Sequence, residues 1–168
     1  MLIKCRQLFH IHVEVVSIII YTDADACPVK EEIDALAEAR QIPSLFVHSY
    51  DHVSSKTYYS KAVMVDIGPE AVDMYIMNHI GKEDVAITQD HGLAALLLQK
   101  GAAVLSPKGR VFRKDEIDIL LAGRYEGLLI KQGKLKKKGP PPLKAADKKH
   151  FKESFASFLE AGQSGATE

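Results

Sequence analysis

The sequence predicts an α/β domain with a central, mainly parallel five-stranded sheet flanked by helices. Short β-branched apolar segments alternate along the chain with amphipathic segments of helical length, a pattern typical of strand–helix–strand units. A chain of 168 residues can bury a core without disulfides or structural zinc. Its 46% hydrophobic and 26% charged residues are ordinary for a globular domain.

The first predicted strand is 15–21, a β-branched run that suits a central position buried on both faces. The next segment is a helix with Pro28 in its first turn, where proline is tolerated, and it ends before Pro43. A second strand over 44–48 follows. The same periodicities predict three further strands and three further helices, namely strands 62–65, 84–88 and 103–105 and helices 69–80, 91–100 and 115–121.

These elements divide the chain into four parts. Residues 17–122 form the α/β core, and residues 1–16 are an N-terminal extension that fits the pattern poorly. Residues 123–146 are predicted as a basic linker, because lysines repel one another and three consecutive prolines preclude a helix. Residues 147–161 form an amphipathic helix whose phenylalanine stripe packs on the core.

Charge and cysteine content favour a cytoplasmic protein. Residues 1–130 carry 13 basic and 18 acidic side chains, whereas residues 131–168 carry 9 and 4, a mild indication of an anionic partner for the tail. The two cysteines form no C-x-x-C pair, as expected in a reducing compartment. No apolar run approaches the roughly 20 residues of a membrane helix, so no membrane association is expected.

Four aspartates are predicted to gather at one edge of the sheet. Asp23 and Asp25 follow the first strand, and Asp90 follows the fourth. Asp73 lies in the first turn of the helix that leads into the fourth strand. Because ligands bind beyond the carboxyl ends of parallel strands, these acids are candidate catalytic and metal-binding residues.

Crowded carboxylates repel one another, and their pKa values rise unless a cation neutralises them. Mg²⁺ or Mn²⁺ takes oxygen ligands and keeps several waters, which leaves room for a phosphate oxygen and an attacking water. The sequence therefore predicts metal-assisted phosphoryl chemistry. The alternative is that each aspartate caps the helix that follows it, which is the simpler explanation for any one of them alone.

Several blocks resemble a known family. They are YTDADACPVK at 21–30, VDIGPEAVD at 65–73, AITQDHGLA at 86–94, GAAVLSPKG at 101–109 and the tail from 138 to 151. Together they resemble the YaiI/YqxD family of uncharacterised bacterial proteins over residues 17–160. That family is in turn similar to a divergent branch of the PIN-like nuclease superfamily.

The resemblance implies a PIN-like three-layer domain and a Mg²⁺- or Mn²⁺-dependent site that cleaves RNA with water as the nucleophile. The family pattern places its acids at Asp23, Asp73 and Asp90, with Thr88 in the block that ends strand four. Asp25 would add a ligand or orient the water. One departure is that the usual acid on a helix after strand two has no counterpart, because 49–61 is predicted as a loop.

Three further residues are predicted close to the acids. Thr22 and His91 adjoin Asp23 and Asp90 in sequence, and His91 is either a proton carrier or a solvent-facing residue at a helix start. Cys27 is either nucleophilic, through the helix dipole, or a small buried packing residue.

Basic residues near this edge are candidates for nucleic-acid binding, namely Lys56, Lys108, Arg110 and Arg113. Each is equally consistent with an ordinary solvated charge.

Two alternative functions stay open. A haloacid-dehalogenase-like phosphatase would use Asp23 as its nucleophile and Asp25 as general acid, although the later acidic blocks of such enzymes are missing. A non-catalytic module that binds RNA or protein would keep the aspartates for structural reasons alone.

Overall fold

The protein is described by a computed structural model that covers residues 18–25, 27–50, 55–68, 70–132 and 141–164. The strands are β1 (Ile20–Asp23), β2 (Ser44–Ser49), β3 (Lys61–Val65), β4 (Val85–Ile87) and β5 (Ala103–Leu105). The helices are α1 (Lys30–Arg40), α2 (Ala71–His79), α3 (His91–Lys100), α4 (Ile117–Lys131) and α5 (Ala145–Ser164). A short 3₁₀ turn, Lys114–Glu116, leads into α4. None of the helices in the described part of the chain is long and apolar enough to cross a membrane.

The strands form one parallel sheet in the order β3-β2-β1-β4-β5. The chain moves outward from β1 to β3 on one side and from β4 to β5 on the other. The order therefore reverses between β1 and β4, and this pair marks the topological switch point of the sheet. The predicted five-stranded α/β architecture is confirmed.

Helices cover both faces of the sheet. Along β1 the side chains alternate, so that Ile20 packs in a core with α1 and α5, whereas Tyr21 packs in a second core with α2 and α3. Two residues of the phenylalanine stripe predicted near the end of the chain, Phe151 and Phe155, are fully buried in the first core. The result is a three-layer domain with the sheet in the middle.

The described end of the connection from β2 to β3, residues 55–60, lies on the α1 side of the sheet. The amides of Tyr59 and Ser60 both donate to the Asp34 carboxylate on α1, at 3.2 and 2.8 Å. The ring of Tyr58 packs edge-on against Phe46 of β2 at 5.1 Å between centroids. Hydrogen bonds to α1 and ring packing on β2 therefore hold the residues that lead into β3.

Some boundaries differ from the prediction. α3 and β5 coincide with the expected ranges. β1 begins at Ile20 and includes Asp23, whereas residues 18–19 of the predicted strand precede it and residues 15–17 lie outside the described residues. α1 begins at Lys30, so Pro28 lies in the turn before it. The extension 1–16 is likewise outside the described residues.

The C-terminal half contains more helix than expected. α4 continues to Lys131, well into the range 123–146 that was predicted as a linker, because the lysines and prolines that stop a helix come later in the sequence. α5 starts at Ala145 and runs to Ser164, beyond both ends of the predicted 147–161.

A tight turn after β5 rests on α5. The Gly109 amide donates to the Ser106 carbonyl at 2.9 Å, and Gly109 itself has φ +84°. Pro107 occupies the second position of this turn, which its fixed φ favours. A Cβ on Gly109 would lie 3.0 Å from Ser154 Oγ and 3.2 Å from the Cα of Phe151, so glycine is required both by backbone angle and by space.

We predict that Gly109→Ala lowers the free energy of unfolding by about 1–3 kcal/mol, because it combines a left-handed backbone with a contact against α5. Urea denaturation measures the difference. Gly162→Ala is the control, since no atom lies within 4 Å of its Cβ position in α5 and the change should be neutral or stabilising. Equal effects of the two substitutions would contradict the prediction.

Candidate active site at the sheet switch point

Asp23 ends β1 directly beside β4, at the switch point of the sheet. The Thr88 hydroxyl, one residue past β4, donates to Asp23 Oδ2 at 3.1 Å. The same hydroxyl oxygen accepts a hydrogen bond from the backbone amide of Asp90 at 3.0 Å. One hydroxyl therefore ties the aspartate of β1 to the segment that carries Asp90.

Asp90 is the N-cap of α3. Its Oδ1 accepts from the Leu93 amide at 2.8 Å, the usual geometry by which aspartate satisfies the free amides of a first helical turn. From the sequence, helix capping was the alternative role of each aspartate, and Asp90 does cap a helix. A carboxylate has about four acceptor sites on two oxygens, so capping leaves capacity for another ligand.

Asp25 is held by the next strand. Both of its carboxylate oxygens face the Ser49 amide at the end of β2, at 3.0 and 3.2 Å. The Nδ1 atom of His48 lies 3.7 Å from Asp25 Oδ1. Ser49 and His48 were not singled out from the sequence, although both lie at the carboxyl end of a strand, which was the signal that could have identified them.

Electrostatics couples these acids. Burial raises the pKa of Asp23 above that of an ordinary aspartate, and the negative charges of Asp25 and Asp90 raise it further. The hydrogen bond from Thr88 acts in the opposite direction but does not cancel the rise. The structure therefore brings Asp23, Asp25 and Asp90 within electrostatic reach of one another.

Asp73 lies in the first turn of α2 and is half-buried. It follows the end of β3 and so sits at the same edge of the sheet, but the carboxylate charges that raise the pKa of Asp23 are those of Asp25 and Asp90. Among the described residues, no three His, Cys, Asp or Glu side chains are grouped closely enough to hold a metal ion together.

The donor chemistry nevertheless fits a small hard cation. Mg²⁺ is commonly held by one or two carboxylates, with waters and substrate phosphate oxygens completing the shell, and does not need a cage of protein ligands. Asp23 and Asp90 supply two such carboxylates, joined through Thr88. Burial first, and the charges of Asp25 and Asp90 after it, raise the pKa of Asp23, and a cation would favour the ionised carboxylate there.

Thr22 does not lie beside the acids. Side chains alternate along a strand, so Thr22 faces the α1 side of the sheet while Asp23 faces the other. It is fully buried between Phe46 and Ile87 on the neighbouring strands, and its hydroxyl finds no hydrogen-bond partner in the described part of the chain. Thr22 therefore adjoins Asp23 in sequence, as noted above, but its hydroxyl makes no hydrogen bond to the acids.

His91 and Cys27 have different surroundings. His91 is exposed at the start of α3, and its ring meets Phe112 edge-on at 5.8 Å between centroids. Cys27 is buried, and burial raises the pKa of its thiol to about 12, so it stays a neutral packing residue at physiological pH. The packing interpretation of Cys27 is the one that the structure supports.

The four candidate cations separate into two groups. Lys56 pairs with Glu31 of α1 at 2.9 Å, and Arg113 forms two bonds to Asp115 at 3.0 and 2.7 Å. Lys108 and Arg110 flank Gly109 in the turn after β5 and line a cavity of about 620 Å³ that also contacts His91.

Comparison with known proteins identifies the family. A family model described as "Uncharacterized BCR, YaiI/YqxD family" matches residues 21–161. A UPF0178 protein of Halalkalibacterium halodurans is 46% identical over 140 residues, which are 83% of this chain and 89% of that protein.

The chain belongs to the YaiI/YqxD family.

Other relatives agree. A UPF0178 protein of Bacillus cereus is 42% identical over 142 residues, covering 83% of this family member and 97% of the relative. One of Listeria welshimeri is 40% identical over 141 residues, covering 84% and 95%. No solved structure gives a significant match. The match to the YaiI/YqxD model begins inside β1 and ends inside α5, so it includes every candidate acid.

We predict opposite effects for one substitution made at two buried threonines. Thr22→Val removes a buried hydroxyl without a partner and should raise the free energy of unfolding by about 1 kcal/mol. Thr88→Val leaves Asp23 and the Asp90 amide without their shared partner and should lower it by about 1–3 kcal/mol. Urea midpoints of the two variants measure the contrast, and a destabilised Thr22→Val protein would contradict it.

We predict that Asp23→Asn is more stable than the wild type at pH 7 in the absence of divalent cations. Folding raises the pKa of Asp23. The free energy of unfolding therefore falls as the pH rises from about 4, the pKa of an aspartate in the unfolded chain, through the higher pKa of the folded protein, and it stays lower at every pH above that. The amide carries no charge and avoids this loss. Denaturation across pH 3–8 should show the advantage disappear at the acidic end, and a constant difference would contradict the electrostatic cause.

Proposed function

We propose that this YaiI/YqxD protein is a divalent-metal-dependent nuclease that hydrolyses RNA phosphodiesters, with a PIN-like arrangement of acids. The observation that carries the proposal is the hydrogen-bonded unit of Asp23, Thr88 and Asp90 at the switch point of a parallel sheet. RNA is the substrate because of the resemblance to PIN-like nucleases.

Each residue has a defined part in this proposal. Asp23 and Asp90 would hold Mg²⁺ or Mn²⁺, and Thr88 fixes Asp23 by occupying one lone pair of Oδ2. Asp25, which Ser49 holds in place, would accept a proton from or orient the attacking water. Asp73 would add an outer ligand from α2. When bound, the ion supplies charge neutralisation at the phosphate and a water of lowered pKa.

The raised pKa of Asp23 supports this assignment over a purely structural role. Asp90 caps α3, but Asp23 makes no cap, and its burial beside two other carboxylates raises its pKa and costs stability. A cation in the same place converts that repulsion into attraction. The two alternatives from the sequence, a phosphatase and a non-catalytic binding module, are separated from the nuclease by the experiments below.

We predict manganese-dependent cleavage of single-stranded RNA by the purified protein. Asp23→Asn and Asp90→Asn should each reduce the rate by roughly 100-fold or more, because each removes a charge that holds the ion. Asparagine caps helices as well as aspartate does, so Asp90→Asn tests charge without loss of the cap. The matched control is Glu83→Gln, which removes the charge of an exposed acid just before β4, at the opposite edge of the sheet.

The same variants report metal binding without substrate. A saturating ion should stabilise the wild type by about 2.7 kcal/mol at 100 times its dissociation constant, and Asp23→Asn by much less. Cleavage that is equal in wild type and variants would refute the nuclease. A trapped phosphoaspartate at Asp23 would favour the phosphatase, and tight RNA binding that is indifferent to chelator, without cleavage, would favour the binding module.

A further inference from the structure

We infer that the cavity between the turn after β5, the start of α3 and the segment 141–143 binds one nucleotide of a single-stranded substrate next to the acids. This inference deepens the proposed function, on which it rests for the position of the bond to be cleaved. The cavity measures about 620 Å³, within the range of about 300–1,000 Å³ that is usual for small-molecule sites.

The cavity adjoins the acids by chain connectivity. Gln89 lines it and stands between Thr88 and Asp90, the two residues that complete the hydrogen-bonded unit with Asp23. His91, the residue after Asp90, lines it as well. A nucleotide lodged here would therefore be the neighbour of a phosphate placed at the acids.

The polar wall is suited to a phosphate group. Lys108 and Arg110 project from the same tight turn and line the cavity together. Lysine meets phosphate as a point charge, whereas arginine presents several donors in a plane. Arg110 already contacts Glu116, and its guanidinium lies 5.3 Å from the centre of the Phe112 ring, so its position is fixed from two sides.

The rest of the lining is suited to a base. It includes Pro28, Pro107, Pro141 and Pro142, whose rings give rigid apolar surfaces that lose no rotamer freedom on contact, and the aromatic ring of Phe112. Bases stack on aromatic rings with little sequence preference. A lining that combines two cations with rigid apolar rings matches a nucleotide better than it matches a bare anion or a purely apolar ligand.

The turn that carries the cations is preorganised. Ser106 holds it from both ends, because its amide donates to the Arg110 carbonyl at 2.8 Å and its hydroxyl accepts from the Arg110 amide at 3.2 Å. Gly109 between the two cations packs on α5. Arg110, like Lys56 and Arg113, is paired with an acid outside the cavity, but it differs from them in lining the cavity beside Lys108.

An RNA duplex does not fit this cavity. A cavity of this volume accepts a single base only when that base is unstacked from its strand, which single-stranded RNA permits at little cost. The inferred substrate is therefore single-stranded RNA, bound through one splayed nucleotide.

Binding of adenosine 5′-monophosphate to the full chain tests the inference, with EDTA present so that neither metal nor cleavage contributes. Amide chemical shifts followed by NMR should change at Gln89 and Lys108 and give the affinity. The double substitution Lys108→Ala with Arg110→Ala should weaken binding at least tenfold, through loss of two charge-assisted contacts. The control is Lys82→Ala, which removes an exposed lysine just before β4 at the opposite edge of the sheet. It should change the affinity for the nucleotide less than twofold.

Three comparisons sharpen the result. Adenosine and inorganic phosphate should each bind at least tenfold more weakly than the nucleotide. A single-stranded RNA pentanucleotide should compete with the nucleotide for the cavity, whereas an RNA duplex of equal length should not. Lys108→Glu, at an exposed position, should also abolish binding, with an unchanged thermal midpoint as evidence of folding. Nucleotide affinity that is unchanged in these variants, or equal affinity for phosphate alone, would overturn the inference.

The outcome is distinguishable from that of the proposed function. Asp23→Asn should abolish cleavage and leave nucleotide binding in EDTA unchanged. If every variant, Asp23→Asn included, cleaves RNA as the wild type does while the cavity still binds the nucleotide, only the nuclease proposal is refuted. Manganese-dependent cleavage without any nucleotide binding in the cavity would refute the cavity only.

Discussion

The hydroxyl of Thr88 is the contact on which the candidate site depends. It donates to Asp23 on one strand and accepts from the amide of Asp90 on the next segment, so two parts of the chain that are far apart in sequence are fixed with respect to each other. The side chain is almost fully buried, which removes competing water and makes the geometry costly to change. Serine or threonine can play this part, whereas valine of the same shape cannot.

Sheet topology explains why this contact forms where it does. β1 and β4 are neighbours although four elements separate them in the chain, and both point their carboxyl ends the same way. The loops that leave these strands diverge to opposite faces, toward α1 and α3, and open a crevice between them. Asp90 stabilises one wall of the crevice as the cap of α3, while Asp25 is held at the other by the amide of Ser49. The same carboxylates that are candidates for chemistry are therefore also held by structural hydrogen bonds.

Much of this fold could be predicted from the sequence, because its strands are β-branched runs and its helices have clear apolar stripes. α3 and β5 were predicted to the residue, and the position of Asp23 and Asp90 at one edge followed from the parallel alternation alone. Thr22 was grouped with the acids because it adjoins Asp23 in sequence, but neighbours in sequence face opposite sides of a strand. The length of α4 was underestimated because composition marks where a helix must stop and not where it continues. The cavity was not foreseen, since it joins the turn after β5 to prolines more than 30 residues later, a contact that only tertiary packing creates.

The place of α5 has a consequence for synthesis of the protein on the ribosome. Phe151, Phe155 and Leu159 are buried against the layer that contains α1, and the residues just before this helix form a wall of the cavity. A nascent chain that has not yet emerged beyond residue 145 leaves that layer open to water and the cavity without its outer side. The domain can therefore complete this layer only after α5 has emerged, and a chain truncated before residue 145 keeps apolar surface exposed that favours aggregation.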